Sequence, residues 1–288
     1  MIPAAFDYHA PRSVADAIRL LGQLGPDAKL LAGGHSLLPM MKLRFAQPSA
    51  LIDLGKIPDL RGIAQVGNEI RIGAMTTEHD LLHSPLIADK LPLLTEGVGL
   101  IADPQVRYRG TIGGDICHGD PANDHPALML ALDATFVLTG PGGERTLKAD
   151  GHFVGPYATQ AAADEILTQI RIPVPAAGSG WSYTKFKRKT GDFATAAAAV
   201  MLQMKGGTVA AVSIALTNVG PTPIKACEAE RRLVGRPLDE AALNDAARHA
   251  MSACLPTHCQ RGHPDYKTAM AGEMVRRALV TAQSRAKA

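Results

Sequence analysis

The sequence predicts an α+β protein with two small segments of mixed structure and a C-terminal domain in which strands precede helices. Apolar positions recur at helical spacing in some stretches and as short strand-like runs in others. The last third has its strand-like runs first and its helical stretches afterwards, as in folds that segregate sheet from helices. The chain's 288 residues exceed what one ordinary core accommodates. We therefore expect subdomains at residues 1–54 and 55–177 and a C-terminal domain at 178–288.

The first segment predicts one helix and two short strands. Ser13 has the side chain of a helix N-cap, and apolar residues follow it at helical spacing up to Gly25. Short apolar runs at residues 29–32 and 51–54 are typical of buried strands. These elements together predict a small α/β unit.

The middle segment predicts a hairpin, several short helices and further strands. Gly67-Asn68 is a typical turn between two short strands, within residues 62–73. A helical stretch at residues 75–100 is broken at Ser84-Pro85 and at Leu91-Pro92, because proline interrupts a helix. The remaining expected elements are a loop, a helix, a hairpin and a strand, at residues 109–115, 122–132, 135–148 and 165–172.

The C-terminal segment predicts a three-stranded antiparallel sheet followed by three helices. Gly206-Gly207 is a turn between the last two strand-like runs, and Pro221 and Pro223 mark the change to helical spacing. The strands are expected at residues 181–187, 195–204 and 208–218, and the helices near 225–234, 239–254 and 265–285.

The overall composition excludes several classes of protein. The 30 basic and 27 acidic side chains leave a net charge of +3, which is too small to predict nucleic-acid binding. No apolar run predicts a transmembrane helix, and the N-terminus does not resemble a secretory signal. The cysteines are too scattered for a disulfide framework or an iron–sulfur cluster: Cys117, Cys227, Cys254 and Cys259. We expect a cytoplasmic protein with no metal site, whose redox cofactor, if it has one, is organic.

Two double-glycine segments are the strongest candidates for a ligand site. They are Ala32-Gly33-Gly34-His35-Ser36, after an apolar strand, and Thr111-Ile112-Gly113-Gly114-Asp115. Successive backbone N–H groups at a glycine turn can bind a pyrophosphate, and two such turns could hold a dinucleotide from both sides. The alternative is that each pair is only a tight turn. The fingerprints of Rossmann domains and P-loops are absent.

Four blocks of the sequence resemble, in order, the FAD-binding subunits of molybdenum hydroxylases. The resemblance is strongest to the medium subunits of aerobic carbon monoxide dehydrogenases, and it extends from end to end of the chain. The blocks are the first double-glycine segment continued through Arg44 to Leu54, residues 101–126 around the second segment, residues 185–194, and residues 265–274.

The resemblance implies a vanillyl-alcohol-oxidase type of FAD-binding fold in two subdomains, followed by the family's own C-terminal domain. It implies one FAD, bound non-covalently between the first and middle units, and no catalytic residue in this chain. The implied FAD-binding residues are Ala32, Gly33, Gly34, His35, Ser36, Leu37, Ile101, Ala102, Gly110, Thr111, Gly113, Gly114, Asp115, Asp124, Leu167, Lys185 and Phe193.

The same resemblance assigns parts of the cofactor to these residues. Residues 33–36 would hold the pyrophosphate from one side, and residues 111–114 would complete the surface from the other. Asp115 and Asp124 match positions near the ribityl and adenosine parts.

At the flavin ring, Leu167 matches an apolar position and Lys185 a basic one. A nearby cation stabilises the negative charge of a reduced flavin. Phe193 falls in the family's Gly-Asp-aromatic loop, and we hypothesise that it shields the ring from oxygen.

Several of these residues have a simpler interpretation. His35 could simply be a helix cap. Lys185 could belong to a solvated basic run with residues 187–189, or to a surface that contacts a partner. Asp124 with His125 could be a catalytic pair, but the start of a helix is the favoured interpretation. His79 and His83 are expected to lie on the surface. Leu37 to Met41 are expected to belong to the core.

The resemblance also implies partners. A large molybdenum subunit would oxidise carbon monoxide, and a small subunit with [2Fe-2S] clusters would carry the electrons to FAD. FAD would pass them to a quinone or cytochrome, in a dimer of heterotrimers that could associate with the inner face of the membrane. The molybdenum cofactor and clusters would lie only in those partners.

Alternative functions stay open at this stage. The chain could serve a hydroxylase of aldehydes, N-heterocycles or xanthine, including an NADH-reactive one. It could also be a self-contained flavin oxidase, or an assembly module that has lost FAD.

Overall fold

The N-terminal unit is a parallel sheet of three strands in the order β1-β3-β2, covered by a helix. The fold is described for residues 1–287 from a computed structural model. Ser13 caps the first helix by accepting a hydrogen bond from the Asp16 N–H, and Gly25 ends it with a φ of 74°. Strand β1 was not predicted, since three residues are too few for a periodic signal. The elements are β1 (Asp7–His9), α1 (Val14–Leu24), β2 (Ala28–Leu31), α2 (Leu37–Lys42) and β3 (Ala50–Asp53).

The middle unit is a five-stranded antiparallel sheet with a group of short helices on one face. Two 3-10 turns, Leu54–Lys56 and Pro58–Leu60, lead into it. Its strands are ordered β4-β5-β10-β6-β7, and β8 pairs with β9 outside the sheet. The strands are β4 (Ile63–Val66), β5 (Glu69–Gly73), β6 (Thr135–Gly140), β7 (Gly143–Lys148), β8 (Phe153–Gly155), β9 (Ala158–Thr159) and β10 (Ile166–Pro173). The helices are α3 (Glu78–Leu82), α4 (Pro85–Lys90), α5 (Pro92–Gly99), α6 (Pro104–Arg107), α7 (Ile112–His118) and α8 (His125–Ala131).

The two prolines break the helical stretch where the sequence predicts. Ser84 caps α4 by accepting from the Ile87 N–H, and Pro85 and Pro92 each occupy a first helical turn, where their missing N–H groups cost nothing. The predicted hairpin at Gly67-Asn68 is also confirmed, as β4 and β5.

The prediction of a loop at residues 109–115 is wrong from Ile112 onward. Residues from Ile112 onward are helical and form the first turn of α7, which Thr111 caps. Each glycine destabilises a helix interior by about 1 kcal/mol relative to alanine, so a glycine pair predicts a loop. Here close packing, described below, requires them.

The C-terminal domain has four strands, ordered β11-β12-β13-β14, and three helices. The three predicted strands are joined by a fourth of only two residues. Its elements are β11 (Gly180–Phe186), β12 (Ala196–Lys205), β13 (Thr208–Thr217), β14 (Ile224–Lys225), α9 (Cys227–Leu233), α10 (Glu240–Ser252) and α11 (Pro264–Arg285).

Both faces of this C-terminal sheet are buried, each in a different core. On β12, Ala197 and Ala199 belong to the core of the middle unit, whereas Ala196 and Ala198 belong to the core under α11. Side chains alternate between the faces of a strand, so odd-numbered residues of β11 and β12 point towards the middle unit. This alternation places Tyr183 and Lys185 of β11 on the side of the middle unit. Within residues 1–287, no helix has the length and hydropathy needed to span a bilayer.

Candidate functional site

A cleft of about 770 Å³ lies where the N-terminal unit, the middle unit and β11 meet. All the cofactor-binding residues expected from the sequence line it. It also contains side chains that were not predicted, from both of the first two units and from the β8–β9 region. These include Pro26, Asp27, Lys29, Phe45, Gln47, Met75, Glu78, Cys117, His118, Asn123 and Tyr157.

The first double-glycine segment forms one wall with its backbone. It joins β2 to α2, and within residues 1–287 the N–H groups of residues 33–37 donate no hydrogen bond to a protein acceptor. Gly34 has a φ of 78°, which L-side chains rarely adopt. Successive N–H groups without a protein acceptor form a site for an anion, so a run of five that borders a cleft favours an anionic ligand there.

Gly33 brings the two double-glycine segments together. A Cβ atom on it would lie 2.1 Å from the Arg109 carbonyl oxygen and 2.9 Å from the Gly110 Cα. No side chain fits in that space, because two backbones touch there.

The second double-glycine segment packs with the same closeness. Thr111 Oγ1 accepts a hydrogen bond from the Gly114 N–H at 3.2 Å, which caps α7. A Cβ on Gly113 would lie 2.6 Å from the Ala74 carbonyl oxygen, and one on Gly114 3.3 Å from the Ala32 Cβ. The glycines thus let α7 contact both the middle sheet and the first segment.

A second wall of the cleft is built from buried side chains. Lys185 Nζ donates to Asp124 Oδ2 at 2.6 Å and to the Leu100 carbonyl oxygen at 3.3 Å. The Tyr183 hydroxyl donates to Asp124 Oδ1 at 2.5 Å. Asp124 begins α8 but accepts no capping hydrogen bond, so both its oxygens serve this network instead. The side chains of Lys185 and Asp124 are only 1% and 5% exposed. Lys185 is therefore not part of a solvated basic face.

A second buried ion pair adjoins the first, and no local sequence pattern predicts it. His125 Nε2 lies 2.7 Å from Glu78 Oε2, with side chains 0% and 3% exposed. Burial opposes the charged imidazole, but the Glu78 carboxylate prevails and raises the pKa of His125 to about 9. Glu78 also ties α3 to the second segment, since its N–H donates to the Gly110 carbonyl oxygen at 3.0 Å.

The loop that carries Phe193 is held by the C-terminal domain. Asp192 accepts hydrogen bonds from Arg188 and Arg261, each at 2.9 Å, and from the Phe193 N–H. The Arg261 guanidinium also lies 5.2 Å from the centre of the Phe193 ring. Burial opposes ionisation of Asp192, yet the two arginines lower its pKa to about 2. Phe193 is therefore fixed at the cleft, with 43% of its surface exposed.

The apolar lining comes from turns and a strand of the middle unit. Leu167 lies on β10, and Ile101 and Ala102 follow α5. Ala102 has a φ of 45°, unusual for a residue other than glycine, and Gly191 packs beside it. This contact joins the turn after α5 to the Phe193 loop.

The residues expected to be core or surface, 37–41 and His79, differ in part from expectation. Of residues 37–41 only Met41 is buried, so this helix contributes less to the core than expected. His79 stacks on Tyr108 with ring centres 4.0 Å apart.

Comparison with known proteins gives one consistent result. The family described as "FAD binding domain in molybdopterin dehydrogenase" matches residues 4–175, and "CO dehydrogenase flavoprotein C-terminal domain" matches residues 181–282. The chain is 58% identical to the carbon monoxide dehydrogenase medium chain of Hydrogenophaga pseudoflava, over 99% of both chains.

Two further relatives extend the comparison. A solved structure of carbon monoxide dehydrogenase from Hydrogenophaga pseudoflava superimposes with a TM-score of 0.99, at 59% identity and 100% coverage of both chains. The nicotine 6-hydroxylase medium subunit of Paenarthrobacter nicotinovorans is 38% identical, over 98% of both chains.

Proposed function

The chain belongs to the family of FAD-binding subunits of molybdopterin dehydrogenases, and from this premise we propose that it is the medium chain of a carbon monoxide dehydrogenase. In the complex, a large molybdenum subunit oxidises carbon monoxide with water to carbon dioxide. A small subunit carries the two electrons through [2Fe-2S] clusters to FAD in this chain, and FAD passes them to an external acceptor.

The observation that carries this proposal is the run of unpaired N–H groups at residues 33–37, in a segment that lines a cleft large enough for a dinucleotide. A pyrophosphate satisfies such donors without requiring a basic side chain. The close contact of Gly33 with Arg109 and Gly110 fixes this wall against the second segment. The residues present therefore fit FAD.

The buried side-chain wall suits the flavin end of the cofactor. When bound, FAD supplies the redox chemistry, as a carrier that both accepts and releases electrons. Lys185 provides a fixed cation whose position is set by Asp124 and Leu100, so it stabilises negative charge without rearranging. Leu167 and Phe193 provide apolar contacts that exclude water from this end.

We propose non-covalent binding. His35, which could attach a flavin covalently in an oxidase, lies in the segment assigned to the pyrophosphate and away from Lys185 along the chain. Acid precipitation of the purified protein tests this, because non-covalent FAD stays in the supernatant and covalent flavin stays with the pellet.

The partners in this proposal are a large molybdenum subunit and a small iron–sulfur subunit, assembled as a dimer of heterotrimers. The Hydrogenophaga pseudoflava enzyme uses a molybdenum cofactor, although its solved form lacks the Mo-pyranopterin moiety. We assign that cofactor and the [2Fe-2S] clusters to the partners. We further propose a cytoplasmic complex that can approach the inner face of the membrane and reduce a quinone or cytochrome.

A hydroxylase acting on another substrate is the second candidate. The 38% identity to a nicotine 6-hydroxylase medium subunit supports it, since that relative also matches over nearly its whole length. The substrate is chosen by the large subunit, so this candidate keeps the same role for the present chain.

Copurification from native cells tests the assignment. We expect two partner subunits, one FAD per copy of this chain, and molybdenum and iron in the complex. A colourless complex without FAD would contradict the cofactor assignment. A yellow complex that oxidises an N-heterocycle but not carbon monoxide would support the second candidate.

A further inference from the structure

Three carboxyl groups and two cations lie together beside the cleft, and all of them have buried side chains except Asp115, which is half-buried. The two cations each have a carboxylate at hydrogen-bond distance: Lys185 with Asp124 at 2.6 Å, and His125 with Glu78 at 2.7 Å. Asp115 is the third carboxyl group, and no cation is left for it.

Asp115 has an oxygen without a partner. It lies in the first turn of α7 and lines the cleft, and its Oδ1 atom is buried with no hydrogen-bond partner within residues 1–287. The nearby amide of Asn123 donates to the Asp115 backbone carbonyl, not to its carboxyl group. Because Oδ1 is closed to solvent, the cofactor would meet the other carboxyl oxygen, and an ionised Asp115 would leave negative charge on a buried oxygen that has no donor.

The surroundings of Asp115 oppose its ionisation. Burial raises its pKa to about 8, and the carboxylates of Glu78 on α3, Asp124 on α8 and Asp120 after α7 act in the same direction. His125 on α8 is the cation that opposes them, but Glu78 already neutralises it. These carboxylates and the unpartnered buried oxygen both favour the neutral acid form of Asp115.

We propose that Asp115 acts as a protonated carboxylic acid that donates its O–H to an oxygen of the bound cofactor. The inference rests on the proposed function, because it takes FAD as the ligand. An ionised Asp115 could only accept hydrogen bonds and would repel a cofactor that carries a pyrophosphate. The neutral form makes the acidic side of the cleft compatible with an anionic ligand.

Proton loss from Asp115 must then compete with FAD binding. Linkage makes the dissociation constant of FAD rise by about tenfold between about pH 7 and pH 9, if the bound acid keeps its proton in that range. In Asp115→Asn, the amide N–H donates at every pH, so the dissociation constant changes by less than about twofold.

The experiment uses the assembled complex, stripped of FAD and titrated with FAD at several pH values, followed by flavin fluorescence. Asp164→Asn is the matched control, since Asp164 is an exposed aspartate outside the cleft, and it should keep the wild-type pH dependence. A wild-type affinity that is flat with pH, or an equal pH dependence in Asp115→Asn, overturns the inference while FAD binding itself stands. A wild-type complex that binds no FAD at any pH overturns the proposed function instead.

Infrared spectroscopy gives a second test that does not depend on refilling the site. The FAD-loaded complex should show a carboxylic acid C=O band at neutral pH that is missing in Asp115→Asn. A difference spectrum without that band shows an ionised Asp115 and overturns the inference.

Discussion

The two walls of the cleft are built on different principles. The wall at residues 33–37 presents backbone N–H groups from one short, contiguous segment. The second wall presents side chains from α3, α7, α8 and β11, arranged in buried ion pairs such as Asp124 with Lys185. The backbone wall depends on having no side chain at Gly33, whereas the side-chain wall depends on each charge having a partner. The first suits a phosphate from any dinucleotide, and we propose that the second sets the charge around the flavin.

Adding one methyl group to the backbone wall should have the largest effect. In Gly33→Ala, the new Cβ would lie 2.1 Å from the Arg109 carbonyl oxygen, so the two segments must separate. We expect FAD affinity to fall by at least about a hundredfold, as several phosphate hydrogen bonds are lost together. Flavin content of the purified complex measures this.

Gly22→Ala is the matched control for that change. Gly22 lies within α1, and a Cβ there meets nothing within 4 Å. It should keep its full flavin content. Equal flavin content in Gly33→Ala would show that the backbone contact does not shape the site.

Removing a charge from the side-chain wall should destabilise the protein. Lys185→Met leaves the buried Asp124 carboxylate without its cation, which costs about 3–5 kcal/mol of unfolding free energy. Urea denaturation of the isolated chain measures the loss.

The double variant Asp124→Asn/Lys185→Met tests the cause. An asparagine still accepts the Tyr183 hydroxyl but leaves no unpaired charge, so the double variant should be more stable than Lys185→Met alone. A double variant that is less stable would show that Lys185 acts through packing.

The second ion pair should make stability depend on pH. Glu78 raises the pKa of His125 above its unfolded value, so the pair stabilises the fold fully below about pH 6.5 and loses this contribution as pH rises through about 9. In Glu78→Gln, about 2–3 kcal/mol should be lost at pH 6, and the decline towards pH 9 should be smaller than in the wild type. Melting temperatures between pH 6 and pH 9 measure the loss and the decline. If the wild type and Glu78→Gln show the same dependence on pH, the Glu78–His125 pair is not the cause.

The smallest expected effect concerns the Phe193 loop. Phe193→Ala should speed reoxidation of the reduced complex by oxygen a few-fold, because the ring no longer covers the flavin end of the cleft. Arg261→Gln should act in the same direction, since Arg261 holds Asp192 and contacts the ring. Stopped-flow absorbance measures the rate.

Phe6→Ala is the control, because Phe6 is an exposed aromatic outside the cleft lining. It should reoxidise at the wild-type rate. An unchanged reoxidation rate in Phe193→Ala would show that Phe193 does not shield the flavin from oxygen.

The contrast between the walls also explains what the sequence could predict. Residues 32–36 form a contiguous motif after a strand, so both the resemblance and elementary chemistry pointed to them. The helices at Pro85 and Pro92 were equally predictable, since proline acts locally on the backbone.

The Glu78–His125 pair was missed for the opposite reason. Its members are 47 residues apart, and they meet because α3 and α8 both pack against α5. The sequence predicts a loop where α7 begins, because Gly113 and Gly114 have low helix propensity. Their close contacts with Ala74 and Ala32 are tertiary and outweigh that propensity. The fourth strand, β14, is too short to produce a period. The subdomain boundary at residue 54 and the cofactor contacts of individual residues stay predictions.

We propose that this cleft holds the flavin through which electrons from carbon monoxide leave the complex. The most direct test is the absorption spectrum of the anaerobic complex, without acceptor, before and after adding carbon monoxide. We predict that the flavin and iron–sulfur bands both bleach, and that the flavin band is missing in Gly33→Ala while the iron–sulfur bands still bleach. A flavin band that stays oxidised while the iron–sulfur bands bleach, or one that persists unchanged in Gly33→Ala, would contradict the claim.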